Sequence, residues 1–265
     1  MTKSTTLDLT GKRAIVTAGA SGIGYAIASA ILRAGGKVHV CDVDGALLAG
    51  LAKSDPALTA SFADVGDPAS VDRMFDEALE RLGGLDILVN NAGIAGPTKL
   101  IEDIEDEEWR RTIDVDLTGQ FYCTRRAVPL FKKARSGSIV NLSSAAGVLG
   151  LPMRAPYVAA KWAVIGMTKT LAMELGEYGI RVNAICPGSV EGDRMERVLA
   201  AESVALNVDP GILRHNYVKH TSLRTFVSAD DIANMVVFIC SDLGSKISGQ
   251  ALSVDGHTET LVARD

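Results

Sequence analysis

The stretch Ala14-Ile15-Val16-Thr17-Ala18-Gly19-Ala20-Ser21-Gly22-Ile23-Gly24 passes from an apolar strand pattern into a glycine-rich turn, and a helical pattern follows at once. Glycines let a backbone turn sharply and approach a bound group, and the N-terminus of a helix offers unpaired N–H groups to phosphate. The stretch therefore predicts a pyrophosphate-binding turn formed by Gly19, Ser21, Gly22, Ile23 and Gly24. Its spacing, Gly-x-x-Gly-x-Gly, differs from the general dinucleotide fingerprint, so a tight turn without a ligand remains the alternative.

Apolar runs and amphipathic stretches alternate along the rest of the chain. Short Val- and Ile-rich runs predict buried strands at residues 14–17, 38–42, 85–90, 139–142, 182–186 and 251–254. Helical patterns cover residues 23–34, 69–82, 107–132, 157–178 and 229–241, with Gly35, Gly83 and Gly179 as terminators. Strands separated by helices pair in parallel through right-handed crossovers, so the fold class is α/β, with a doubly wound sheet and helices on both faces.

Composition restricts the classes of protein to consider. The 265 residues are 47% hydrophobic and 22% charged, which predicts a single domain over residues 1–265. A net charge of −5 argues against nucleic acid or an anionic membrane as a partner. The four cysteines are far apart and predict neither a metal site nor disulfides. No long apolar segment or targeting pattern is visible, so we expect a cytoplasmic enzyme.

Asp42 is the acidic residue that fits a dinucleotide site. It ends the second strand, 18 residues beyond Gly24, where a carboxylate can accept both hydroxyls of an adenosine ribose. The same carboxylate would repel a 2′-phosphate, and its neighbours Cys41 and Val43 carry no positive charge. The cofactor is therefore predicted to be NAD rather than NADP. The alternative is that Asp42 is only a turn residue at the end of a strand.

Tyr157 and Lys161 are four residues apart at the start of a helical pattern, so they lie on one helix face. A phenol has a reference pKa of about 10 and needs a nearby positive charge to work as an acid–base group at neutral pH. Lys161 is placed to supply that charge. In isolation such a pair is more often two surface residues.

Six motifs taken together give a specific resemblance. They are Thr17-Ala18-Gly19-Ala20-Ser21-Gly22-Ile23-Gly24, Asn90-Asn91-Ala92-Gly93, Ser144, Tyr157-x-x-x-Lys161, Pro187-Gly188 and Val254-Asp255-Gly256. Their order and approximate spacing resemble those of the short-chain dehydrogenase/reductase family nearly from end to end. The resemblance implies a single Rossmann-like domain with seven parallel strands and a homo-oligomer, either a tetramer or a dimer. It also implies hydride transfer between a nicotinamide and a secondary alcohol or ketone.

The resemblance further implies residue roles. Ser144, rather than Ser143, would hold the substrate oxygen, Tyr157 would exchange a proton with it, and Lys161 would bond the nicotinamide ribose and favour the phenolate. Other cofactor contacts implied in the same way are Asp64, Val65, Asn91, Ala92, Gly93, Pro187, Gly188 and Val190. Asn91 could instead only tie strands together, and Pro187-Gly188 could only end a strand.

Three positions depart from the family pattern. Ala18 replaces the first glycine of the turn; a methyl group is tolerated there if φ is negative, and we expect the loop to survive with slightly altered packing. Asp116 stands where the family usually has an asparagine that holds a water beside Lys161; an aspartate can accept from that water but cannot donate. Gly192 stands where a threonine often follows Pro-Gly.

The substrate is predicted only as a class. Residues 189–227 show little pattern and follow the carboxyl end of a strand, which is typical of a substrate-loop insertion. Arg154, three residues before Tyr157, is the candidate substrate-binding cation, so a small polar molecule such as a sugar, polyol or hydroxy acid is expected. The alternatives are a 3-oxoacyl-carrier-protein reductase, or a non-catalytic dinucleotide-binding relative, which would be expected to lack the Ser144–Tyr157–Lys161 set.

Overall fold

A computed structural model describes residues 7–261 of the chain. Seven parallel strands form one sheet in the order β3-β2-β1-β4-β5-β6-β7, which confirms the doubly wound α/β prediction. The strands are β1 (Arg13–Thr17), β2 (Lys37–Asp42), β3 (Thr59–Phe62), β4 (Ile87–Asn90), β5 (Gly137–Leu142), β6 (Ile180–Pro187) and β7 (Ala251–Val254).

Helices cover both faces of this sheet. The α-helices of the described residues are α1 (Gly22–Arg33), α2 (Gly45–Ser54), α3 (Pro68–Leu82), α4 (Asp106–Ile113), α5 (Gly119–Ala134), α6 (Ala155–Leu175), α7 (Asp193–Leu206), α8 (Pro210–Lys219) and α9 (Ala229–Cys240). Of these, α7 and α8 pack on each other rather than on the sheet. Gly83 and Gly179 follow helical segments in the left-handed conformation, and Gly35 has a φ of +89°, as expected of terminators.

Each central strand contributes side chains to two separate hydrophobic cores, because successive residues of a strand point to opposite faces. In β1, Val16 packs with α1 and α9 on one face, whereas Ile15 packs with α3 and α5 on the other. Burial on both faces explains why the strands appear as continuous apolar runs rather than as alternating patterns.

The predicted continuous helix over residues 107–132 is wrong in one respect. A π-helical turn at Asp114–Thr118 separates α4 from α5, and the N–H of Gly119 bonds the carbonyl of Asp114 five residues earlier. The sequence gives no periodic signal for the extra residue in this turn. A side chain at Gly119 would overlap Val65, whose nearest atom lies 2.7 Å from the added carbon, so the turn packs closely against the loop after β3.

Residues 189–227 are more regular than their pattern predicts. They contain α7 and α8, and the buried side chains of Met195, Leu199, Leu213 and Phe226 form a small core of their own. Two further elements, α2 and β3, also lie outside the runs that the sequence pattern identified. Within residues 7–261, no helix combines the length and the apolarity that crossing a membrane requires.

The sheet topology fixes where a ligand can bind. The chain passes outward through β1, β2 and β3 and then returns to place β4 beside β1, so the strand order reverses between β1 and β4. Ligands of open α/β sheets bind at the carboxyl ends of strands beside such a reversal. Thr17, Asp42, Asn90, Leu142 and Pro187 stand at or next to that edge.

Candidate active site

The glycine-rich turn joins β1 to α1 and is held by its neighbours. The N–H of Gly19 bonds the carbonyl of Cys41 at 3.0 Å. A side chain on Gly19 would overlap Val40, and one on Gly24 would overlap the carbonyl of Ala18. Gly19 is therefore required by close packing against β2, and Gly24 by close packing within the turn itself.

Ala18 has a φ of +49°, so the assumption of a negative φ at this position is wrong, although the turn is formed. The turn keeps the left-handed conformation that a glycine would adopt without cost, and Ala18 adopts it with its methyl group in place. For a residue with a Cβ this conformation costs about 1 kcal/mol or more.

The N-terminus of α1 is open on the side of the turn. Ser21 precedes the helix and makes no side-chain capping bond. Gly22 has a φ of +53°, and nothing lies within 4 Å of where its side chain would stand. Unpaired N–H groups at a helix start, beside a glycine that leaves space, form a cradle suited to a pyrophosphate.

Asp42 ends β2 and faces the same turn. Its Oδ2 accepts from the N–H of Ala20 at 3.3 Å, and its Oδ1 accepts from the N–H of Asp44 at 3.1 Å. The carboxylate is thus fixed beside the glycine-rich turn and keeps lone pairs that can accept from a ribose.

Asn91 ties β4 to β1. Its side-chain amide donates to the carbonyls of Thr17 and Ala18 at 2.9 and 3.1 Å. The N–H groups of Asn91 and Ala92 both donate to the hydroxyl of Thr17 at 2.9 Å. These bonds hold the turn in place, so Asn91 ties β4 to β1 and has a structural role in the site.

Asp64, after β3, already has partners. Its Oδ1 accepts from the N–H of Gly66 at 2.8 Å, and its Oδ2 lies 2.9 Å from the guanidinium of Arg111. Arg111, which the sequence analysis did not single out, therefore balances the charge of Asp64. Val65 is buried against Gly119.

Pro187, Gly188 and Val190 continue from the end of β6. The N–H of Gly188 bonds the carbonyl of Val254, and a side chain on Gly188 would overlap Asp255. Val190 pairs with Val227 in an isolated parallel bridge, which closes the base of the 189–227 segment. The backbone here is anchored to β7, beside the carboxyl edge of the sheet.

Tyr157 and Lys161 lie on the first turns of α6, and the Lys161 Nζ is 5.5 Å from the centre of the Tyr157 ring. Lys161 is buried, and its ammonium also donates to the carbonyl of Leu142, at the end of β5, at 3.2 Å. The Tyr157 hydroxyl has no hydrogen-bond partner within residues 7–261. The phenol thus has a cation beside it and an oxygen available to a substrate.

Ser143 and Ser144 differ in how their hydroxyls are used. The hydroxyl of Ser143 is buried and donates to the backbone carbonyl of Lys161 at 2.8 Å. The hydroxyl of Ser144 accepts from the N–H of Ala146 at 3.1 Å, so its own proton remains available. The geometry favours Ser144 as the hydroxyl that can bond a ligand.

Asp116, in the π-helical turn, points at Lys161. Its Oδ1 accepts from the N–H of Ile94 at 2.7 Å. Its Oδ2 lies 3.3 Å from the Lys161 Nζ, which is ion-pair distance, but the angles are not those of a hydrogen bond and this buried oxygen has no hydrogen-bond partner among the described residues. A side chain on Gly93 would come within 3.4 Å of both groups, so Gly93 forms one wall of this pair.

Arg154 is buried rather than open to solvent. It donates to the carbonyl of Ala95 at 2.7 Å, and its guanidinium carbon lies 5.5 Å from the centre of the Tyr157 ring. On its other side it lies 3.8 Å from Glu202 of α7, which accepts from the hydroxyl of Tyr217 of α8 at 2.8 Å. Burial raises the pKa of Glu202, while the Tyr217 hydrogen bond and the Arg154 charge oppose that rise.

Sequence reasoning missed Glu202, although a signal was present. Met195, Leu199 and Glu202 are spaced as i, i+4 and i+7, so a helix over this segment places Glu202 on its buried face. The same helix carries Arg194, which donates to the carbonyl of Gly93 at 2.9 Å and so contacts the loop beside Lys161.

The site holds titratable groups but no candidate metal centre. Among residues 7–261, no cluster of three or more His, Cys, Asp or Glu side chains could hold a metal ion. The four cysteines are free and buried. The chemistry that the arrangement can support is proton transfer at the Tyr157 oxygen, next to a cradle for a dinucleotide.

Comparisons with known proteins agree with this arrangement. Residues 17–257 match a family model described as enoyl-(acyl carrier protein) reductase. The chain is 33% identical to D-beta-hydroxybutyrate dehydrogenase of Rhizobium meliloti (strain 1021), over 92% of this chain and 97% of that protein. It is 34% identical to the 3-oxoacyl-[acyl-carrier-protein] reductase of Thermotoga maritima, over 94% and 98% of the two chains.

Among solved structures, that of levodione reductase superposes with a TM-score of 0.87 at 29% sequence identity, over 93% of this chain and 97% of that one. The likeness thus covers the sheet, the helices and the glycine-rich turn together. On the family match, the curated relatives and the shared fold, the chain is an oxidoreductase that belongs to the short-chain dehydrogenase/reductase family.

Proposed function

We propose that this chain is an NAD-preferring dehydrogenase/reductase that moves a hydride between a nicotinamide and a secondary alcohol or ketone of a small polar molecule. The observation that carries the proposal is the arrangement of Tyr157, whose hydroxyl is free of bonds to the described residues, beside the buried ammonium of Lys161. A phenol in that position is suited to exchange a proton with a substrate oxygen.

The preference for NAD rests on Asp42. Its carboxylate is fixed beside the glycine-rich turn by the N–H groups of Ala20 and Asp44, and it would accept the ribose hydroxyls of NAD. A 2′-phosphate at the same place would meet a negative charge. Gly19, Ser21, Gly22, Ile23 and Gly24 would hold the pyrophosphate, with Asp64, Val65, Asn91, Ala92 and Gly93 along the adenosine side and Pro187, Gly188 and Val190 at the carboxamide.

When bound, the dinucleotide would supply or accept the hydride. In oxidation of an alcohol, the Tyr157 oxygen takes the proton from the substrate hydroxyl, and in reduction of a ketone it returns that proton to the new hydroxyl. Ser144 donates a hydrogen bond to the same substrate oxygen. Lys161 stabilises the phenolate by its charge, and Asp116 holds the lysine through the ion pair at its Oδ2, which has no hydrogen bond to the described residues and so can also accept from a water.

A second candidate is reduction of a 3-oxoacyl group carried by an acyl carrier protein. The 34% identity to a 3-oxoacyl-[acyl-carrier-protein] reductase favours it. Such reductases usually use NADPH, and Asp42 argues against that cofactor in this chain.

For the enzyme as a whole, we also propose one domain with the segment 189–227 above the site, a homo-oligomer, and a cytoplasmic location.

The direct experiment is a dehydrogenation screen with purified protein. Sugars, polyols and hydroxy acids are offered with NAD or with NADP, and formation of the reduced cofactor is followed by absorbance; 3-oxoacyl thioesters are tested in the reverse direction. NAD-dependent oxidation of a small alcohol supports the first candidate. Reduction of a thioester with NADPH, with no oxidation of small alcohols, supports the second.

A further inference from the structure

Arg154 lies as close to the centre of the Tyr157 ring as Lys161 does, at 5.5 Å, yet its charge is already balanced. The Glu202 carboxylate lies 3.8 Å from its guanidinium, and the side chains of both residues are almost wholly buried, with 4% and 11% exposed. The two formal charges cancel within the fold. A substrate anion bound at Arg154 would therefore place two carboxylates beside one guanidinium.

Glu202 is also held firmly in place. The hydroxyl of Tyr217 lies 2.8 and 2.9 Å from its two oxygens, so α8 fixes the carboxylate that α7 presents to Arg154. Arg154 is fixed in turn by the carbonyl of Ala95. Neither charged group can turn into solvent without breaking these bonds, which makes the pair a built part of the site.

The space next to the pair is mainly apolar. Glu202 and Tyr217 line a cavity of about 200 Å³ between α7, α8 and the loop that leads into α6. Most of the remaining wall is apolar and includes Leu151, Pro152, Met153, Leu206 and Leu213. Because Arg154 and Glu202 are themselves almost wholly buried, a second negative charge close to Glu202 would be screened only weakly.

We propose that Glu202 is a specificity-determining residue that excludes anionic substrates by neutralising Arg154, so that the enzyme takes uncharged alcohols and ketones. This inference rests on the proposed function and narrows its substrate class. A repulsive element of this kind is a common means of specificity, because discrimination depends on the difference between two binding free energies. Because Glu202 pairs with Arg154, the two side chains together present no net charge beside Tyr157, and Arg154 does not bind an anion.

The experiment compares a hydroxy acid with its uncharged counterpart. NAD-dependent oxidation of 3-hydroxybutyrate and of 3-hydroxybutyramide is measured in the wild type and in Glu202→Gln, which keeps an oxygen for the Tyr217 hydroxyl but removes the charge. We expect the wild type to have the larger kcat/KM for the amide. In Glu202→Gln, the ratio of the carboxylate value to the amide value should rise by about tenfold or more.

Glu196→Gln is the matched control, since it makes the same change on the same helix at a residue that pairs with Arg214 and not with Arg154. Its carboxylate-to-amide ratio should equal that of the wild type. A wild type that prefers the carboxylate overturns the inference even if Glu202→Gln fails to fold, and so does an unchanged ratio in a folded Glu202→Gln protein. Absence of turnover with either compound and with every alcohol of the screen counts against the proposed function itself.

Discussion

The Lys161 ammonium lies 3.3 Å from the Asp116 carboxylate, and both side chains are almost fully buried. Removing one member of a buried ion pair leaves an uncompensated charge and costs more than the pair contributes. Asp116 also accepts from the N–H of Ile94, so it joins the lysine beside Tyr157 to the loop after β4. The π-helical turn places Asp116 on the side of the helix that faces Lys161.

The first prediction follows from this pair. Asp116→Asn keeps an oxygen for the N–H of Ile94, so its turnover should remain within about tenfold of the wild type, with a modestly shifted pH–rate profile. Asp116→Leu leaves that N–H without its acceptor and leaves the buried Lys161 ammonium with the carbonyl of Leu142 but no counter-charge beside it, so it should lose far more activity and about 3 kcal/mol or more of stability. Turnover against pH and urea unfolding measure both. A Leu variant that matches the wild type would show that Asp116 has no part in the site.

Asp42 should decide the choice of cofactor. We expect NAD to bind at least ~10-fold more tightly than NADP, which corresponds to about 1.4 kcal/mol. Asp42→Ala should bring the dissociation constants of NAD and NADP closer together, chiefly because it weakens the binding of NAD. Calorimetric titration of both cofactors into both proteins is the test, and equal dissociation constants in the wild type would refute the assignment.

Ala18 offers a test of backbone strain. Because its φ is +49°, Ala18→Gly should raise the free energy of unfolding by roughly 0.5–1 kcal/mol, the relief of strain outweighing the added freedom of the unfolded chain. Ala20 lies in the same turn without a positive φ, so Ala20→Gly should lower stability by a similar amount. Urea unfolding at one pH compares the two, and changes of the same sign would contradict the strained conformation.

His39 predicts how stability depends on pH. Burial, with a smaller effect of the Arg81 charge, lowers its pKa to about 4, and its ring nitrogens lie 2.9 Å from the hydroxyls of Thr59 and Ser61. The unfolded chain takes up a proton near the ordinary pKa of about 6.5, so stability contributed by neutral His39 is lost as the pH falls from about 6.5 toward 4.

Between pH 7.5 and pH 5, the wild type should therefore lose about 2 kcal/mol more of its free energy of unfolding than His39→Gln does. The variant is expected to be less stable at both values, so only the change with pH is compared. Parallel pH dependences for the two proteins would show that His39 does not remain neutral in the fold.

The glycine-rich turn, the strands and Tyr157 with Lys161 could be predicted from the sequence, because each depends on local spacing. Strand patterns located β1 within one residue and located β7 at its observed bounds. The π-helical turn could not be predicted in this way, because one extra residue changes only the phase of the helical pattern, and α4, with Trp109 and Ile113 as its apolar residues, is too short and polar to define that phase. The φ of Ala18 likewise depends on the packing of the turn against β2 and β4, not on the residue itself.

The network of Arg154, Glu202 and Tyr217 shows a different limit. Its members come from the start of α6, from α7 and from α8, and 63 residues separate the first from the last. Only the packing of the 189–227 segment over the site brings them together. The spacing of three residues places Arg154 near Tyr157, but its buried counter-charge on α7 cannot be read from the sequence around it.

Tyr157→Phe tests the central claim most directly, because it removes only the oxygen to which proton transfer is assigned. Tyr178→Phe, in the turn that follows α6, is the matched control for the loss of a hydroxyl. For each protein, turnover is measured with an alcohol from the screen, together with the dissociation constant of NADH by fluorescence titration. We predict that Tyr157→Phe binds NADH as the wild type does but loses ~10²-fold or more in kcat, while Tyr178→Phe stays near the wild type; a Tyr157→Phe enzyme with near-native turnover would contradict the account.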